Sequence, residues 1–112
     1  MDDSDLSSEE HKRELLAAAR QDFPAFYGAA TPDDKMRMDG LVMAHVALRV
    51  GLVANRDGLH GPFRDALEKV TDMAEREFTK AREAVRACPT FTALSAGEQL
   101  HIELVIFEVK PP

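Results

Sequence analysis

Apolar residues recur along most of this chain at steps of three and four. That period marks helices buried on one side. The clearest run is 61–87, where Phe63, Ala66, Leu67, Val70, Met73, Ala74, Phe78, Ala81, Ala84 and Val85 are read as one inward face and the opposite face is almost all charged. Gly61-Pro62 opens it with proline at the first position. Asp65 with Lys69 and Asp72 with Arg76 are i, i+4 pairs in the favourable order. Cys88-Pro89 ends it, because a residue before proline leaves the α region.

A second long helix is predicted from Thr31 to about Ala54. Thr31 is a natural cap, Pro32 fits the first turn, and Asp33 and Asp34 sit at the positive end of the macrodipole. A first helix is predicted over 8–21. Ser7 and Glu10 stand at capping-box spacing, with Leu15, Leu16, Ala18 and Ala19 facing inward. Pro24 stops it or begins a new short turn. The last segment reads two ways. Ser95 and Glu98 have capping-box spacing, which predicts a helix over 96–109, while Leu100, Ile102, Leu104 and Ile106 alternate as in a strand. A lone strand leaves its backbone groups unpaired, so helix is preferred.

The two long helices span roughly 35 and 39 Å at 1.5 Å per residue. Helices of that length must cross the whole domain and pair antiparallel. The expected fold is all-α: a compact four-helix, bundle-like domain over 7–112, preceded by a mobile acidic tail at 1–6.

The helix expected at 31–54 carries the main clue. Of the 14 residues 41–54, all but His45, Arg49 and Gly51 are apolar. Large side chains point nearly all round its axis, so it needs cover on most sides. Either its own chain supplies that cover or another chain does, as a homodimer or a bound target. Gly40, Ala44, Ala47, Gly51 and Ala54 form a row of small residues expected to seat the next helix. The apolar run is too short for a membrane span, which needs about 20 residues.

Composition narrows the classes further. The chain has 112 residues, one cysteine and a net charge of −6. One cysteine makes no internal disulfide, and the acidic N-terminus is the opposite of a secretory leader, so a cytoplasmic location is expected. Residues 1–10 hold five acids and no base, so the remaining residues sum to −1. The acidity belongs to the tail, and the body is nearly neutral. This disfavours direct nucleic-acid binding and weakens an acidic mimic of nucleic acid.

The four histidines are not at i, i+4 spacing, and the sequence shows no metal site, cofactor motif or catalytic signature. The expected function is a non-enzymatic protein-binding module: an inhibitor, adaptor or immunity-type regulator that occludes a protein partner. A small-ligand sensor or minor enzyme with a cavity in the bundle is the alternative. Candidate partner-binding residues are the aromatic corner Phe23, Phe26 and Tyr27, the polar edge Lys35, His45 and Arg49, and the loop residue His60. The corner reads first as a hydrophobic plug closing one end of the bundle, with the partner-facing anchor as the alternative.

Overall fold

Proline sets the joints of this chain. In a computed structural model, which describes residues 3–56, 58 and 61–110, the fold is all-α. Among the described residues there is no strand, and there are six helices: α1 (Asp3–Asp22), α2 (Pro24–Ala29), α3 (Pro32–Arg56), α4 (Arg64–Ala87), α5 (Pro89–Thr92) and α6 (Ala96–Val105). A 3-10 turn at Gly61–Phe63 leads into α4.

The sequence pattern predicts four helices. The two extra ones exist because Pro24 and Pro89 each supply the first turn of a short helix of their own. Helix α1 starts at Asp3, so its backbone is already helical at the Ser7–Glu10 spacing. Thr31 caps α3 by accepting from the Asp34 N–H at 3.2 Å. Ser95 caps α6 in the same way, accepting from the Glu98 N–H at 3.2 Å while its hydroxyl reaches the Glu98 carboxylate at 2.9 Å. Helix α6 ends at Val105, four residues short of expectation. There the Ile106 and Phe107 N–H groups both donate to the Ile102 carbonyl, which closes the helix. Phe107 then turns back and is buried beside Phe91, with the rings 5.3 Å apart.

Helix α3 is the organising element, and three polar pins tie other parts of the chain to it. Asp34 is buried and accepts from the Thr90 hydroxyl at 2.5 Å, so α5 is held against the start of α3. Asp39 accepts from Tyr27 at 2.7 Å and from Arg20 at 3.4 Å, joining α2 and α1. The His45 Nδ1–H donates to the Ile106 carbonyl at 3.0 Å, which fixes the strap after α6. No buried side-chain nitrogen or oxygen lacks a partner among the described residues.

Helix α4 is the main neighbour of α3. Asn55 meets Thr71, His45 meets Phe78, and Asp34 at the start of α3 meets Thr90 just beyond α4. The approach is closest at Gly51, where an added Cβ would lie 2.8 Å from the Thr71 Oγ1. Glycine is required there by proximity, not by backbone angle.

Candidate functional site

A helix turns about 100° per residue, so Met36, Gly40, Met43, Ala47, Val50 and Ala54, at steps of four and three, form one stripe. That stripe lies opposite the buried residues Asp34, Leu41 and Leu48, and none of its six side chains is charged. Met36 is 72% exposed and Val50 62%; Gly40 and Ala47 are exposed too. Nothing lies within 4 Å of a Cβ placed on Gly40.

The same side of the hairpin continues onto α4. The strap after α6 covers the other side, where Leu48, Leu52, Phe78 and Arg82 line a groove of about 510 Å³ with residues 107–110. Away from that groove, α4 presents Val70 (60% exposed), Met73 (62% exposed), Glu77, Lys80 and Ala84, again at steps of three and four. Helix α3 therefore has α4 on one flank, α1 on another and the strap on a third, while its fourth side faces water. The molecule measures 47 × 33 × 20 Å, and its shortest dimension equals about two helix diameters. Among the described residues no third layer covers α3.

Such exposure is unusual for so apolar a helix. By length and composition alone α3 is apolar enough to cross a membrane. A core helix of this composition is mostly buried, yet α3 leaves Met36 and Val50 largely exposed. A lipid surround conflicts with α4, which would carry Glu68, Asp72, Arg76 and Lys80 into hydrocarbon beside it.

The row of small residues thus divides between two roles. Gly51 seats α4, as the sequence suggests for the whole row, while Gly40 and Ala47 open onto the uncovered face. Reading the row of small residues alone misses that Met36, Met43 and Val50 recur every seven residues, each followed four residues later by a small one: Gly40, Ala47 and Ala54. That alternation of large and small is legible in the sequence.

The expected partner-binding residues are dispersed. Phe23, Phe26 and Tyr27 are all buried, so they form the plug and cannot serve as free anchors. Phe23 packs against a tilted His101 ring at 5.3 Å, and Phe26 meets Tyr27 edge-on at 5.8 Å. Burial, then the bond to Asp39, push the Tyr27 hydroxyl well above its ordinary pKa, so it stays a donor. His45 is half-buried, and burial holds its pKa below the ordinary value, which keeps the imidazole neutral. Lys35 and Arg49 are exposed, and Arg49 borders a shallow apolar hollow with His45, Val46, Val50, Val53 and Ala54. His60 lies outside the described residues.

Asp34 is the most protected carboxylate described. The hydroxyl of Thr90 holds it below the usual carboxylate range, helped by Arg37 at 2.6 Å. Burial raises the Cys88 thiol above its ordinary value, which disfavours the thiolate. Among the described residues, no group of three or more His, Cys, Asp or Glu is placed to hold a metal ion. Comparison with protein-family models, curated proteins and solved structures returns no match.

Proposed function

We propose that this chain is a non-enzymatic helical protein-binding module, an inhibitor, adaptor or immunity-type regulator that acts by covering a protein surface with the outer face of α3 and α4. One observation supports this above all: the long central helix α3 turns a charge-free stripe to water, with Met36 and Val50 largely exposed. Contiguous exposed apolar area of this kind marks interaction sites on folded proteins. The groove beneath the strap is open and edged by Glu75, Arg82 and Lys110, which suits a small ligand less well.

The test compares three baits: the wild-type chain, Val50→Glu on the proposed face, and Leu104→Glu at an exposed position of α6. Both substituted positions are exposed, so circular dichroism should show unchanged helicity. A protein retained by the wild type and by Leu104→Glu but lost by Val50→Glu supports the reading. Identical sets retained by all three overturn it.

A further inference from the structure

The pattern on the uncovered face also specifies its occupant. We infer that it is a second copy of this chain, docked about a two-fold axis that runs across both long helices. This rests on the reading of that face as a docking surface, and it names the partner.

Consider α3 against a copy of itself running in the opposite direction. In one register Met36 faces Ala54 of the copy, Gly40 faces Val50, and Met43 faces Ala47. Every large residue of the stripe then meets a small one, and no charge is buried. The two-fold axis of this pairing passes α3 at the level of residue 45.

Helix α4 supplies an independent check. The His45 and Phe78 rings are 5.9 Å apart, so level 45 on α3 is level 78 on α4. An axis at that level pairs α4 with its own copy by the same operation. Met73 then faces Ala84, Val70 faces Ala87, and Glu77 faces Lys80, with Lys80 facing Glu77 in return. All six of these α4 positions are exposed in the single chain. Size complementarity on α3 and charge complementarity on α4 thus share one axis, although they come from different helices.

The area is sufficient. The apolar stretch 36–54 is roughly 27 Å long, and two helices side by side are roughly 20 Å wide. That gives a footprint of about 540 Å² on each copy, or about 1,080 Å² for both, just above the roughly 1,000 Å² that a specific interface needs. The two hairpins stacked face to face would form a four-helix bundle with its apolar stripes inside.

Sedimentation equilibrium on the full chain, up to about 1 mM, tests this. The wild type should approach twice the chain mass. Glu77→Lys sets like charges across the axis twice, as does Lys80→Glu, and each should weaken the dimer about tenfold, equivalent to 1.4 kcal/mol. The double exchange Glu77→Lys with Lys80→Glu restores opposite charges and should restore the dimer. A monomer throughout the series overturns the inference, and so does a dimer indifferent to all three variants. Binding of the wild type to lipid vesicles in place of self-association overturns it as well. If the chain is monomeric but the Val50→Glu bait still loses a different protein, the docking face stands and only the second copy is wrong. If that bait set is also unchanged, both readings fail.

Discussion

Substituting Gly51 by alanine isolates the closest approach between the two long helices. In an open helix position this change stabilises by about 0.4–1 kcal/mol, because glycine loses more freedom on folding. Here the new Cβ would lie 2.8 Å from the Thr71 Oγ1. That oxygen cannot simply swing away. It donates to the Leu67 carbonyl at 2.9 Å and accepts from Asn55 at 3.0 Å, on a buried β-branched side chain. Overpacking of this kind costs about 1–3 kcal/mol. The balance is a net loss of about 1 kcal/mol, or a fall in Tm of about 4 °C or more.

The sign should reverse when Thr71 is also alanine, because the next nearest atom, the Thr71 Cβ, is at an ordinary 3.4 Å. Gly40→Ala is the internal control. Nothing stands within 4 Å of its new Cβ, so it should stabilise by about 0.4–1 kcal/mol. The assay is urea unfolding of the wild type, Gly51→Ala, Thr71→Ala, the double variant and Gly40→Ala. A Gly51→Ala protein as stable as Gly40→Ala would refute the close approach. So would a loss of the same size in the Thr71→Ala background, since it would place the strain elsewhere.

The polar pins and caps give further expectations. Thr90 and Arg37 hold the Asp34 pKa below its unfolded value of about 3.9. The unfolded chain therefore takes up that proton first, so the Asp34 contribution is intact above about pH 5 and is lost as pH falls through the folded pKa. The urea midpoint of Asp34→Asn should consequently depend less on pH between about 7 and 3 than that of the wild type; equal slopes would contradict this. Tyr27→Phe removes a part-buried bond to the Asp39 carboxylate and should cost about 1–2 kcal/mol in urea unfolding. Ser95→Ala should cost about 1 kcal/mol through the lost cap of α6, read as a lower Tm. The buried Cys88 thiol should react with Ellman's reagent only on unfolding; prompt reaction in native buffer would show that the α4–α5 joint is open.

The helical class, the two long helices and the caps at Thr31 and Ser95 are legible in the sequence because each rests on a local signal: period, cap or proline. The Pro24 and Pro89 joints are visible as breaks, yet nothing local says whether a break is a turn or a short new helix. That choice depends on burial of Phe26 and Phe91 against the rest of the core. Helix α6 stops early because Phe107 finds a tertiary seat, which no local propensity encodes. The aromatic corner reads as a plug before an anchor, and tertiary packing buries Phe23, Phe26 and Tyr27. The uncovered face is half-legible. Sequence reveals that α3 is too apolar for two short neighbours and one long one, but which side stays open depends on where α1 and the strap lie.

The most direct test of the account is the reactivity of a thiol introduced by Val50→Cys, read in native buffer as a function of chain concentration. In dilute solution the new thiol should react nearly as fast as a free one, since the side chain at that position faces water, while Cys88 stays silent. As the concentration rises, the rate should fall when a second copy covers α3. If the introduced thiol is as protected as Cys88 even at high dilution, the chain covers this face itself, and the central claim is wrong.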